Sequence, residues 1–418
     1  MKPAWLVVLG CFIGVSVSIA PAYLTVLGLF LKPMSDELGL SRTELSMMPS
    51  IMALVAALLS PFVGALIDRW GSGRVAGIAV LLLPVGLFGH SMIEASLFLL
   101  VFLSLFMGVA AAIACPLPYV SALPQWFERN LGLAIALSMS GIGFGQIILP
   151  KVTAFLIESV GWREAWAMLA GLILLIGVLN IVFLFRDNPE FQARKKADRL
   201  GERDMVLPGV SLGQAVRTPM FWLLAASVSL VAQVGVGAMI HIVPMLTDRG
   251  IDPIQAANAI ALIGAGSLIG RLLTGVALDR LSVSLVGGVV FSTQAIAMLI
   301  LWSGMDGLAP YIAVFFVGLA VGAETDIMPF FIRRKFGTRQ FGKIFGSVYG
   351  IFSLGPVLGP LLMGSAFDLF GSYTFILLVF SGFSLLAAIF ITVAGTMKLQ
   401  GPTSLDADVG ADQDLRST

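Results

Sequence analysis

The sequence predicts an all-α membrane protein of about a dozen transmembrane helices, arranged as two six-helix bundles related by a pseudo-two-fold axis. Three observations predict it. Of 418 residues, 58% are hydrophobic and only 12% charged, against roughly a quarter charged in ordinary soluble chains. Apolar runs of about 20 residues, enough to cross a hydrocarbon core as helix, recur along the whole length. The second half of the chain also repeats the punctuation of the first.

Breaking the sequence at its charged and Gly/Pro-rich points gives spans 5–30, 44–66, 75–92, 95–121, 131–157, 165–185, 218–246, 254–278, 284–304, 308–331, 341–367 and 372–396. The first run begins after a single basic residue, Lys2, exceeds a signal-peptide core and lacks an A-x-A-like cleavage site, so it is expected to be a retained helix. Cys11 and Cys115 both fall inside apolar runs and are expected as small buried side chains, not a disulfide or a metal pair.

The 25 basic and 24 acidic residues leave a net charge of +1, which points to neither nucleic acid nor a strongly anionic surface as partner. Their placement is more informative. With both termini cytoplasmic, Arg69, Arg74, Arg129, Arg186, Arg280, Arg333, Arg334, Lys335 and Arg339 all fall on the inside, with the Arg194-Lys195-Lys196 run. The outside keeps only Lys32, Arg42, Lys151, Arg163 and Arg249. That bias fits an even number of spans with the N-terminus inside.

The polar stretch Arg186 to Arg217 reads as a linker that divides the chain almost equally, giving a bundle over 1–185, a linker over 186–217 and a second bundle over 218–397. The tail 398–418, with Asp406, Asp408, Asp412 and Asp414 and no apolar periodicity, is expected to be disordered. An offset of 210 pairs Gly132 with Gly342, Gly145 with Gly355, Pro150 with Pro360 and Gly161 with Gly371. An offset of 211 lays Gly64, Asp68 and Arg69 on Gly275, Asp279 and Arg280. Each half has an even helix count, so the repeats run in the same direction.

These features resemble the major facilitator superfamily over essentially the whole chain. The loop from Gly64 through Asp68, Arg69 and Gly71 to Arg74 is similar to that superfamily's signature between the second and third helices, and Gly275 to Arg280 is its shortened echo. Within it, Trp126 to Ala134, Ser140-Gly141-Ile142-Gly143, Gly161-Trp162-Arg163 and Gly322-Ala323-Glu324-Thr325-Asp326 resemble the monocarboxylate-transporter and oxalate/formate-antiporter branch, especially its bacterial members. The resemblance implies a major facilitator fold, a multi-pass place in a bacterial inner membrane, and a small organic anion as cargo. The branch's mid-helix arginine falls on Arg271. An aspartate found four residues earlier in animal carriers is replaced by Ser267, a first-helix lysine by Thr25, and the oxalate carrier's eleventh-helix lysine falls near Phe352.

Arg271 stands in mid-span, where a guanidinium costs several kcal/mol and must face a cavity or a partner; its planar fork matches a carboxylate. Substrate anion binding is the favoured reading, against an internal ion pair. Glu324 and Asp326, about 200° apart around a helix, are proton-coupling candidates, one facing the cavity and the other free to pair with Arg271 or to cap a broken turn next to Pro329, with purely structural pairing as the alternative. Tyr23, Tyr119 and Tyr349 are chosen as further substrate-binding candidates because spans one, four and eleven line the cavity in the family resembled. Asp68, Arg69, Arg74, Asp279 and Arg280 are expected to latch the cytoplasmic ends of the halves. His241 is expected to be a satisfied packing residue, and His90 is given no role. Gln146 and other uncharged polar residues read as glue between helices.

The glycine patterns Gly264-Ala265-Gly266 with Gly270, and Gly141 to Gly145, follow no strand and predict close helix packing, not phosphate binding. No nucleophile-base-acid set, metal spacing or nucleotide loop is present, so no enzyme, cofactor or metal is expected. The sequence thus reads as a proton-coupled importer of a mono- or dicarboxylate by alternating access, and the resemblance implies a monomer. The alternative keeps the fold and makes it an anion exchanger or an exporter of amphipathic compounds.

Overall fold

The computed structural model describes residues 3–127, 131–188, 209–304, 307–337 and 339–397. Most of the linker, Arg129 and the acidic tail lie outside the described residues. Among the described residues, twelve helices are long and apolar enough to cross a membrane. They alternate in direction, so the described chain begins at Pro3 and ends at Met397 on one side, called here the terminal side; the opposite side is the far side.

In lipid every backbone polar group must be satisfied within the protein, and the breaks in the spans show how. The first span runs Pro3–Ser16, a π-helical turn Ala20–Leu24, then Thr25–Leu38. Its break sits at Pro21, and it continues well past the sequence-predicted end because Lys32, Asp36 and Glu37 ride on its polar far-side end. The fourth span breaks between Ile113 and Leu117. The carbonyl of Ala114 would bond the N–H of residue 118 in a continuous helix, but Pro118 has none. It accepts the N–H of Ile19 at 3.2 Å instead, so the breaks in the first and fourth spans satisfy each other.

Glycines draw particular helices together. A Cβ added at Gly266, Gly270, Gly318 or Gly322 would collide with a backbone carbonyl of the facing helix, so the eighth and tenth spans, Pro253–Arg280 and Ala309–Phe336, pack backbone to backbone. Gly141 and Gly145 let the fifth span, Leu131–Val160, close on the carbonyls of Phe12 and Ser16. Close packing is therefore the use of both patterns.

The apolar core is distributed unevenly between the two sides. On the far side the clusters cross between halves: Leu29 and Ala154 pack with Val243, Leu246, Ala257 and Ile260, and Ile240 joins a cluster otherwise drawn from the first six spans. On the terminal side each half packs upon itself. Val7, Cys11, Tyr119, Phe127 and Phe185 form one cluster, and Met220, Phe221, Phe331, Phe336 and Ile344 form another. The halves are thus closed at the far side and parted at the terminal side.

The linker is anchored at both described ends. Asp187 accepts the N–H of Gly73 at 2.8 Å and an N–H of Gln125 at 3.1 Å, which ties it to the turn between the second and third spans. Beyond the undescribed stretch, the N–H of Leu212 donates to Gln340 Oε1 at 2.8 Å and that of Val210 to the carbonyl of Phe336 at 3.0 Å.

Candidate functional site

Arg271 projects from the eighth span toward the tenth, where the glycine contacts bring the two backbones close. Its Nη2 donates to Thr325 Oγ1 at 3.0 Å, and its Nη1 stands 3.9 Å from Asp326 Oδ1. The second distance is too long for a hydrogen bond. The pair is a loose ion contact, and the remaining guanidinium N–H groups have no partner among the described residues. Asp326 is therefore the acid on the Arg271 side of the tenth span.

Glu324, two residues earlier, points elsewhere. It is 4% exposed, among Ala320, Ala323 and Ile327, and its Oε2 has no hydrogen-bond partner among the described residues. Tyr349 in the eleventh span is 38% exposed, lies within electrostatic reach of Glu324 and of Cys115 in the fourth span, and forms a ladder with Phe345 and Phe352 at ring separations of 5.9 and 5.4 Å. The structure thus brings Arg271 together with Asp326 and sets Glu324 apart from both, in an apolar setting.

Two expected cavity tyrosines are placed differently. Tyr23 is fully buried inside the first bundle, its hydroxyl 3.2 Å from His90 Nε2 and its ring beside Trp166. Tyr119 is 3% exposed, against Gly14 and the ring of Phe185. Neither lies between the halves. A count of spans identifies which helix faces the cavity, but the break in each of these two helices turns the residue inward. His90, given no role from sequence, is the partner of Tyr23, and its Nδ1 bonds the carbonyl of Gly86 at 2.7 Å.

Of the latch candidates, Arg69, Arg74 and Arg280 are exposed on the terminal side. The side chains of Asp68 and Asp279 lie outside the described residues. The loop they flank turns at Gly71, whose φ of 87° is open to glycine at little cost. Its described partner is Asp187.

A polar junction on the far side is absent from the sequence reading. Arg42, at the start of the second span Arg42–Trp70, is 8% exposed. Its Nη1 lies 2.6 Å from Asp248 Oδ2 at the end of the seventh span and 2.5 Å from the hydroxyl of Tyr373, and its guanidinium covers the Phe367 ring at 3.6 Å. Asp368, at the end of the eleventh span, accepts the N–H groups of Arg42 and Thr43 at 3.2 and 2.8 Å, placing a carboxylate on the positive end of the second span. His241 is fully buried beside them, with Nδ1 3.1 Å from the Tyr373 hydroxyl and Nε2 3.0 Å from Ser46 Oγ. It is a satisfied packing histidine, but one that joins the two halves.

Comparison with known proteins follows the same lines. The chain matches the profile of the Major Facilitator Superfamily over residues 6–331 and 232–406. It is 25% identical to an uncharacterized MFS-type transporter, YhjX, of Escherichia coli (strain K12), over 79% of this chain and 80% of that one. It is also 25% identical to monocarboxylate transporter 12 of Homo sapiens, over 96% of this chain and 82% of that one. Among solved structures, a D-xylose-proton symporter superposes with a TM-score of 0.74 at 14% identity, covering 96% of this chain and 99% of that one. A bacterial homolog of the human lysosomal transporter Spinster, in an inward-facing and unoccupied conformation, gives 0.72 at 16% identity, covering 94% and 97%.

Proposed function

This chain belongs to the Major Facilitator Superfamily, a family of transporters and not of enzymes, and on that premise we propose that it imports a small organic anion, a mono- or dicarboxylate, together with protons. The terminal side is cytoplasmic in this reading, by the bias of basic residues, in a bacterial inner membrane. The conformation is then inward-open, and transport proceeds by alternating access as the two six-span halves rock about the mid-membrane seam. The protein works as a monomer.

One observation carries the anion reading: a mid-span guanidinium whose only close partner among the described residues is a hydroxyl, with its acid 3.9 Å away. A half-buried cation with unused donors has a binding capacity that a carboxylate fork fills, and the loose Asp326 contact balances the charge between substrates. The likeness to monocarboxylate transporter 12 supports the same cargo class. Glu324 is the proton carrier of choice, because a buried carboxyl oxygen without a donor ties its protonation to what enters beside it. Asp326 instead competes with substrate for Arg271, and Tyr349 offers a hydroxyl from the eleventh span.

The test is uptake of radiolabelled carboxylates into proteoliposomes, with and without an inward proton gradient, for the wild type and Arg271→Gln. Gradient-stimulated uptake of one acid, lost in the variant, is expected. Uptake that survives the substitution removes Arg271 as the anion site, and dependence on internal acid in place of the gradient makes the protein an exchanger.

A further inference from the structure

Midway along the fifth span, Gln146 lies on the seam between the halves and is 2% exposed. It faces Gly264 of the eighth span, Thr25 of the first and Met239 of the seventh. Gln146 Nε2 donates to Thr25 Oγ1 at 3.3 Å. Thr25 fixes the orientation of that amide. Its own hydroxyl hydrogen goes to the carbonyl of Ala20 at 2.9 Å, at the head of the π-helical turn, so Thr25 Oγ1 is left as an acceptor and Gln146 must turn its NH₂ toward it. The other end of the amide, Oε1, is buried with no donor among the described residues. The Met239 sulfur near the amide carries no hydrogen to offer.

Helix-to-helix glue explains the nitrogen but not the oxygen. A buried amide oxygen left unsatisfied is costly, and this one sits on a surface that must part when the far side opens, since Met239 belongs to the other half. We propose that Gln146 Oε1 is a substrate-binding atom, which takes the hydrogen of a hydroxyl group on the transported molecule as the seam between Gln146 and Met239 parts. The inference rests on the organic-anion reading and narrows it: acids with a hydroxyl beside the carboxylate are preferred to the same acids without one. Arg271 lies two turns along the eighth span from Gly264, roughly 10 Å, a separation that the arginine side chain, here turned to Thr325, would shorten toward the length of a small hydroxy acid by swinging along the span. Arg271 then takes the carboxylate and Gln146 the hydroxyl.

The test compares paired acids, lactate with propionate and malate with succinate, as substrates of the full-length protein in proteoliposomes. The variants are Gln146→Met, which removes the amide, and Gln146→Asn, which withdraws its oxygen by one methylene. The wild type is expected to favour the hydroxy member of the transported pair by at least about tenfold in kcat/KM, because the deoxy acid leaves Oε1 unpaired. Both variants should bring the ratio close to one. A ratio within one preparation does not depend on how much of the variant folds. No hydroxyl preference in the wild type, or a preference unchanged in both variants, overturns the inference while leaving anion transport standing. Absence of transport for every acid overturns the proposed function and this inference with it.

Discussion

Arg42 holds its Nη1 2.6 Å from Asp248 Oδ2, the shortest ion pair among the described residues, and the two belong to opposite halves of the molecule. Arg42 is nearly buried, so the Arg42→Gln substitution leaves Asp248, among the described residues, only the Lys32 ammonium at 3.6 Å and leaves the Tyr373 hydroxyl only His241 at 3.1 Å. Truncating one member of a desolvated pair costs about 2–5 kcal/mol; the 26% exposure of the Asp248 side chain brings the expected shift nearer 1–2 kcal/mol by solvent screening. The far-side-open population should rise about tenfold. Maleimide labelling of a cysteine placed at Ala154, with Cys11 and Cys115 replaced, reads this directly, because Ala154 is buried in the far-side seam. An unchanged labelling rate contradicts the assignment of Arg42 as a far-side tie.

Arg271→Lys keeps the charge and loses the fork. A lysine ammonium is a point donor that cannot meet both oxygens of a carboxylate in one plane. If the unused guanidinium donors bind substrate, kcat/KM for the transported anion falls by about 10- to 100-fold, the equivalent of roughly 1.4–2.7 kcal/mol. Equal initial rates at low substrate in wild type and variant would mean that charge alone, or another residue, holds the anion.

Much of this arrangement is legible in the sequence, and the rest fails for physical reasons. Hydropathy places the spans because a helix needs a fixed apolar length to cross lipid. Mid-span charge singles out Arg271, Glu324 and Asp326 because such groups are costly there, and the 200° between the two acids anticipates that they face different neighbours. The Tyr23 and Tyr119 assignments miss because a rotation of the helix at a proline break is invisible in a span count. The far-side junction is missed for a different reason. Arg42, Asp248, Asp368 and Tyr373 each sit at a helix end, where a charged or polar residue is unremarkable, and only the fold brings them together across more than 200 residues of chain.

Glu324→Gln separates proton coupling from carriage. A glutamine fits the same space with no proton to exchange, so a symporter loses accumulation driven by the gradient but keeps exchange of labelled for unlabelled acid across the membrane. Counterflow at or near the wild-type rate, with gradient-driven uptake reduced at least about tenfold, is the expected pair of results. Retained accumulation would move the proton to Asp326. Loss of both activities, with the purified variant still monodisperse, would give Glu324 a packing role.

Gly322 tests whether helix packing sets the anion site. A Cβ there would collide with the carbonyl of Ser267, one turn from Arg271 on the eighth span. Gly322→Ala must therefore push the eighth and tenth spans apart, and overpacking of this kind costs about 1–3 kcal/mol. The displacement also draws Thr325 and Asp326 away from Arg271, whose present contacts are 3.0 and 3.9 Å. A lowered Tm accompanied by a several-fold change in KM for the anion is expected, with gradient dependence retained, since Glu324 faces away from that seam. The control is Gly275→Ala on the same span, where an added Cβ meets nothing: it should leave both Tm and KM unchanged. Loss of Tm in Gly322→Ala with KM unaltered would separate the packing of these helices from the geometry of the site.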